Sequence, residues 1–356
     1  MQHQDFVNLL KKNRELVWPI IEKKIKLVNK FDDFCCPAAK YQNLMDFNQE
    51  MVDVYPKRMG KYFRPCLVIL AGEAMGVPVD ILINTAAAQQ ISEEWILIHD
   101  DVEDDSLERR GEITLHRKYS KELAINTGDA LHLLMWEILQ DNRLILGAEK
   151  TFLIMEEFTK IIKRTILGQT IEIKWAQENK KKLSDDDILL ILESKTGYYT
   201  VAGPMREGAI IAGATSEQLE KIYEFGKLTG YCFQIKDDLL DLTSDFCGQK
   251  KQCGNDIYEG KRTIMLAHLM RTINGSDKDK LEKIMEKCRE NKNETEVKWV
   301  IQKMEECKSL DYAQNLMNKF AAEAKEYFKN ELGFLKENPA RSYLEYLPDF
   351  LVNRDH

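Results

Sequence analysis

The chain has 356 residues, of which 44% are hydrophobic and 31% charged, with 18 Gly, 8 Pro and a formal net charge of −8. Low glycine and proline lean toward helix, and this length can bury a large core. An acidic chain lacks the basic footprint that nucleic acid demands, so nucleic acid is not expected as a partner; a locally basic site for an anionic substrate stays open.

Apolar residues recur at helical spacing over residues 6–29, which predicts the first helix. Residues 80–105 form a long helical pattern that runs into an acidic cluster, and 122–145 and 150–178 repeat the style. A polar break follows at Asn179–Leu183. Ser184 then precedes Asp185, Asp186, Asp187 and an apolar run, the pattern of a helix N-cap with acids in the first turn, so these acids read as capping groups. Lys195-Thr196-Gly197 reads as a helix end. Another helix spans 216–242, and Thr243–Gly260 reads as a loop. Charged amphipathic helices follow from about residue 264. No useful strand-period alternation, repeat or linker is visible, so one all-α domain over 1–356 is expected.

The eight cysteines form no CxxC pair, which predicts free thiols in a reducing cytosol and no zinc site. The first residues lack the apolar core of a signal peptide. No apolar run reaches the ~20 residues of a membrane span.

Two acidic motifs carry the chemistry. His99-Asp100-Asp101-Val102-Glu103-Asp104-Asp105 ends the apolar stretch Trp95-Ile96-Leu97-Ile98. Asp100 and Asp104 share a helical face, and like charges at that spacing repel. Asp237-Asp238-Leu239-Leu240-Asp241 repeats the spacing 137 residues later, again on an apolar helix. A single such run is usually a solvated face. Two copies on apolar helices ask for a hard cation with carboxylate and phosphate ligands, as magnesium binds. Basic residues stand near both: Gly60-Lys61-Tyr62-Phe63-Arg64-Pro65 upstream, Arg109-Arg110-Gly111 after the first motif, Lys195 between, and Lys251 and Lys261 after the second. Metal-bound diphosphate would need such partners.

These motifs resemble the trans-isoprenyl diphosphate synthases, the family of farnesyl and geranylgeranyl diphosphate synthases. The resemblance spans about residues 55–265 and includes GKxxRP at Gly60–Pro65, DDxxD followed by RRG at Asp100–Gly111, GQ at Gly168-Gln169, KT at Lys195-Thr196, FQxxDDxxD at Phe233–Asp241 and GxDIxEGKxT at Gly254–Thr263. The ending, Tyr346 to Asp355, resembles the family's last helix.

The resemblance implies a single large helical bundle with a central active-site cavity, and a homodimer built from helices between the motifs. It implies condensation of isopentenyl diphosphate with an allylic diphosphate (dimethylallyl, geranyl or farnesyl), using about three magnesium ions. Asp100 and Asp104 would hold two ions with help from Asp101, and Asp237 a third, with Asp238 and Asp241 acting partly through water. Arg109, Lys195 and Lys261 would grip the allylic diphosphate, and Lys251 close over it. Lys61, Arg64 and Arg110 would hold isopentenyl diphosphate, and Thr196 and Gln234 would face the allylic cation. No side-chain base is required; the family is thought to use the diphosphate itself.

Three positions depart from the family pattern. Glu93 stands where the family has His or Gln, an anion beside an anionic ligand. Tyr62 replaces a basic residue, and Glu172 replaces an aspartate. His99 and His116 read as structural, because magnesium prefers oxygen. Residues four, five and eight before the first motif line the family's product tunnel; here they are Ile96, Trp95 and Ser92. Trp95, just over one turn below the metals, would plug the tunnel at fifteen to twenty carbons, twenty favoured. The alternatives are a farnesyl diphosphate synthase, a terpene cyclase on this scaffold and a non-catalytic partner subunit. Lys61, Arg64 and Arg110 argue against the cyclase, and both acidic motifs against the partner subunit.

Overall fold

A computed structural model describes residues 3–30, 39–243 and 253–354. Apart from one short hairpin, the described residues form helices and their connections, in keeping with the all-α expectation. In chain order these are α1 (His3–Ile25), α2 (Gln42–Lys57), α3 (Phe63–Ala74), α4 (Val79–Glu103), the hairpin β1 (Glu108–Arg109) and β2 (Glu112–Ile113), α5 (Leu115–Lys118), α6 (Lys121–Asp141), α7 (Arg143–Leu146) and α8 (Ala148–Gln177). Next come α9 (Asp185–Ile191), a π-helical stretch (Leu192–Ala202) and α10 (Gly203–Ala212). The remainder is α11 (Ser216–Leu242), α12 (Asn255–Glu259), α13 (Ile264–Thr272), α14 (Gly275–Met285), α15 (Glu294–Glu306), α16 (Ser309–Glu331) and α17 (Pro339–Asn353). Among the described residues no helix is long and apolar enough to cross a membrane.

The chain divides into two compact units. The first comprises Met1–Glu157, Pro204–Ala214 and Lys336–Arg341; the second comprises Phe158–Gly203, Thr215–Leu335 and Ser342–His356. In the first unit α3 is buried nearly all round, from Pro65 to Gly72, and α4 packs on it and on α6. The α4–α6 seam combines small residues, Ala86 to Ala88, with a polar lock: the Asn84 amide donates to the Ile138 carbonyl at 2.7 Å and to Asn142 at 2.9 Å. That seam fixes the register of α4, whose last turn carries the first acidic motif.

In the second unit α11 packs on the π-helical stretch and on α16. Ring pairs Phe225–Phe328 and Tyr231–Phe320, at 5.3 Å and 4.9 Å, fill that core. Helix starts follow local signals. Ser184 and Thr215 each close a capping box, with Asp187 and Gln218, so the capping role read for the Asp185–Asp187 run holds for Asp187.

The structure corrects two local readings. Lys195-Thr196-Gly197 does not end a helix: the backbone keeps winding in π geometry to Ala202. Gly197 serves close packing instead, since a side-chain carbon on Gly230 of α11 would lie 2.5 Å from the Gly197 Cα. Within the loop read over 243–260, Asn255–Glu259 is helical, started by Gly254 and stopped by Gly260, both in left-handed geometry. Residues 244–252 of that loop, Lys251 among them, lie outside the described residues.

Candidate active site

In the first unit, Asp100 and Asp104 close α4, both half-buried, where the helix dipole already presents negative charge. Asp101, between them, is buried and fully engaged. The Tyr55 hydroxyl donates to it at 2.5 Å, and Arg109 donates from Nε at 2.9 Å and from Nη2 at 2.5 Å. Arg109 Nη2 also lies 3.4 Å from Asp100. Burial pushes the Tyr55 phenol up and Asp101 adds to it, so Tyr55 stays a donor.

Arg109 sits on the hairpin. Arg110 and Gly111 form its two-residue turn with φ of 56° and 79°, the left-handed geometry such tight turns require. Arg110 tolerates it at a cost, and Met59, Tyr62 and Asp105 nearby are left-handed too. Strain of this kind gathers where side chains must be aimed.

The turn aims Arg110 at two glutamates. Its Nη1 donates to Glu94 at 2.9 Å and its Nη2 to Glu93 at 3.3 Å, and the second oxygen of Glu93 is 3.1 Å from Arg64 Nη1. Gly60 leaves the space, because a Cβ there would lie 2.6 Å from Arg110 Nη2. Burial pushes the Glu93 carboxyl up, but Arg64 and Arg110 outweigh it and hold the group below its ordinary value. Glu94, wholly buried, goes the other way: burial exceeds what Arg110 returns. Glu93 is therefore an internal counter-ion to the two guanidiniums, and Lys61 is exposed beside them in sequence.

In the second unit one cleft is lined by Glu172, Lys195, Thr196, Gln234, Asp238 and Lys261, among others. The sequence reading assigned four of these to substrate, Lys195, Thr196, Gln234 and Lys261, and Asp238 to the metal, drawn from segments up to 66 residues apart. Lys195 pairs with Glu172 of α8, and a Cβ on Gly168 would lie 2.6 Å from the Lys195 nitrogen, so this approach requires glycine. Asp238 accepts from Gln234 at 2.7 Å, and Lys261 lies 3.2 Å from Asp256. Asp241 accepts the backbone N–H groups of Asn255 and Asp256 at 3.2 Å and 3.0 Å, tying the start of α12 to α11. Lys292 fastens the other end, donating to the Ile257 and Tyr258 carbonyls at 2.9 Å each. Asp237 is half-buried, and Arg354, just after α17, pairs with it while stacking on Phe233 at 4.2 Å.

The acids of this cluster outnumber nearby cations. Burial, then Asp256, pushes Asp238 well above its ordinary value and Asp241 up to about 8; Lys261 offsets only part. Such a surplus of negative charge suits a divalent cation. Among the described residues no three metal-ligating side chains converge on one point. Magnesium asks for no such cage, since it takes one or two carboxylates and draws other ligands from water and phosphate. The donors present, oxygen only and in pairs, fit it.

The sequence profile of the polyprenyl synthetase family matches residues 46–304. The chain belongs to that family. A geranylgeranyl diphosphate synthase of Methanosarcina mazei is 30% identical over 91% of this chain and 94% of its own length. A geranylfarnesyl diphosphate synthase of Natronomonas pharaonis is 29% identical, over 94% and 97%. The crystal structure of a geranylgeranyl pyrophosphate synthetase from Pyrococcus horikoshii superposes with a TM-score of 0.81 at 27% identity, covering 98% of this chain and 99% of that one. The chain is thus a short-chain isoprenyl diphosphate synthase of all-α fold.

Within this synthase, the residues named for product length lie on α4. Ser92 is buried and donates to the Gln89 carbonyl at 2.7 Å, and Ile96 is half-buried. Trp95 is buried with its ring 4.6 Å from His132 of α6, which in turn accepts from Trp136 Nε1 at 3.1 Å. His99 Nε2 meets the Ile125 carbonyl at 3.2 Å. His116 is buried beside Asp105 at 3.4 Å. Sequence reasoning missed Tyr55, Arg58, Glu94 and Asp256. Glu94 and Asp256 had a signal, one beside Glu93 in an apolar helix and the other inside the quoted GxDIxEGKxT motif. Tyr55 and Arg58 had none.

Proposed function

We propose that this synthase joins isopentenyl diphosphate to dimethylallyl, geranyl or farnesyl diphosphate and stops at geranylgeranyl diphosphate, acting as a cytosolic homodimer. The observation that carries the reading is the cleft where Lys195, Thr196, Gln234, Asp238 and Lys261 converge. Two ammonium groups, a carboxylate and two neutral oxygens form the set that ionisation of an allylic diphosphate needs.

Magnesium bound through Asp100, Asp104 and Asp237, about three ions in all, would neutralise the leaving diphosphate. Lys195 and Lys261 add charge that is already in place when the carbon–oxygen bond breaks. Thr196 and Gln234 offer their oxygens to the cation, and Asp238 orients Gln234 through its amide. In the first unit Arg109 holds diphosphate, and Asp101 with Tyr55 aims it. Lys61, Arg64 and Arg110 hold isopentenyl diphosphate. Its double bond attacks the allylic carbon, and the proton then lost passes to the departing diphosphate.

Trp95 supports a product of twenty carbons, because its large ring is braced rather than loose. Farnesyl diphosphate is the nearest alternative product. The test is product analysis with and without isopentenyl diphosphate. Elongation needs both substrates, whereas a hydrocarbon or alcohol formed from the allylic substrate alone would mark a cyclase and overturn the proposal.

A further inference from the structure

The hairpin that carries Arg109 and Arg110 has two residues per strand. An isolated two-stranded ribbon is marginal even at greater length, so something outside it must hold it. That support is the residue that caps the C-terminus of α2. Arg58, whose side chain is only 4% exposed, donates from Nη1 to the Arg109 carbonyl at 3.2 Å and from Nη2 to the Ile113 carbonyl at 2.7 Å. One planar fork thus grips both strands. Its Nε lies 3.3 Å from Glu112, and its guanidinium stacks on the Tyr55 ring at 4.9 Å. The Tyr55 carbonyl, at the helix C-terminus, accepts from Arg110 Nη1 at 3.1 Å. The two hairpin arginines point to different partners, Arg109 to Asp100 and Asp101, Arg110 to Glu93 and Glu94.

We infer that Arg58 is a positioning residue that sets both hairpin arginines at once, and so couples the allylic and isopentenyl diphosphate sites. This rests on the roles proposed above for Arg109 and Arg110. The logic is mechanical. Arg58 reaches the hairpin through the Arg109 and Ile113 carbonyls and through Glu112, not through either substrate-facing guanidinium. A shift of the hairpin moves both, and misplacement by an ångström can cost about a hundredfold. Lysine cannot substitute, because an ammonium is a point charge without the rigid fork that spans two carbonyls.

The test is steady-state kinetics on Arg58→Ala, Arg58→Lys and Arg58→Gln, with each substrate varied in turn, alongside Glu93→Gln and Asp101→Asn. The Arg58→Ala protein should raise the KM of both substrates together, by about tenfold or more, with Arg58→Lys intermediate. Added methylguanidinium should recover part of the loss in Arg58→Ala and do nothing for the wild type. The two comparison variants should each move the KM of one substrate only. A purely structural role would lower the folded fraction and the maximal rate while leaving both KM values unchanged; that result, or a rise in one KM alone, overturns the inference. Where Arg58→Ala does not fold, Arg58→Lys and Arg58→Gln carry the same readout, supported by calorimetric binding of inorganic diphosphate with magnesium. Failure of the parent reading looks different: the wild type itself would show no isopentenyl-dependent product.

Discussion

Replacing Glu93 with glutamine removes the internal counter-ion of Arg64 and Arg110 while keeping its shape. In the resting protein the carboxylate holds these guanidiniums at 3.1 Å and 3.3 Å, and under the roles proposed for Arg64 and Arg110 an incoming diphosphate has to take them over. A hydrogen bond to a charged group contributes about 1.5–3 kcal/mol, and its neutral counterpart about half. Two such bonds weakened by half relieve the competition by about 1.5–3 kcal/mol, or about tenfold to a hundredfold in affinity. Glu93→Gln should therefore lower the KM for isopentenyl diphosphate by about that factor, with the KM of the allylic substrate nearly unchanged. Glu94 still holds Arg110 at 2.9 Å, so the hairpin turn should keep its place. The assay varies isopentenyl diphosphate at saturating allylic diphosphate and magnesium. An unchanged or raised KM would refute the reasoning, and would mean that Glu93 aligns Arg64 and Arg110 for the ligand rather than competing with it.

Chelation should abolish turnover and magnesium restore it, and Asp100→Ala and Asp237→Ala should each lower kcat by orders of magnitude while circular dichroism stays native; wild-type rates in either would remove that residue from the metal assignment. Because Asp241 keeps its proton up to about 8, and Asp238 is also raised, magnesium binding should release protons and tighten as pH rises from about 6 to about 8; calorimetry in buffers of different ionisation enthalpy reads this directly, and a pH-independent affinity would contradict it. Trp95→Ala should lengthen the product, read by chromatography of the dephosphorylated alcohols, and an unchanged product would end its role as a plug. Glu207 on α10 is wholly buried, with neither carboxyl oxygen hydrogen-bonded among the described residues, and burial and Glu157 hold its proton well above the ordinary range. Glu207→Leu should stabilise the protein by about 1–3 kcal/mol. The folded chain keeps that proton where the unfolded chain has lost it, so the gap should widen as pH rises above the ordinary glutamate range in denaturant titrations; a destabilised variant would show that Glu207 has a partner. Light scattering at micromolar concentration should give a dimer, and a monomer would contradict the proposed assembly.

Elements that depend on neighbours in the chain were legible from the residues alone. Ser184 with Asp187 starts a helix by contacts within one turn, and the long apolar patterns before Asp100 and Asp237 produce α4 and α11 near their expected bounds. What pairs with what was not legible, because it is decided by distant segments. Glu93 looked like an anion awaiting an anion until Arg64 and Arg110 stood against it. Arg58 looked like one of 51 basic residues, and only the carbonyls of Arg109 and Ile113 single it out. Gly197 read as a helix stop, since nothing local tells a glycine that ends a helix from one that admits Gly230.

The most direct test of the central claim counts two products of one reaction: inorganic diphosphate released and labelled isopentenyl units incorporated, with magnesium, dimethylallyl diphosphate and excess isopentenyl diphosphate. The account predicts equal amounts throughout, all dependent on isopentenyl diphosphate, with label accumulating at the geranylgeranyl stage. Diphosphate released without incorporation, or incorporation indifferent to chelator, would contradict it.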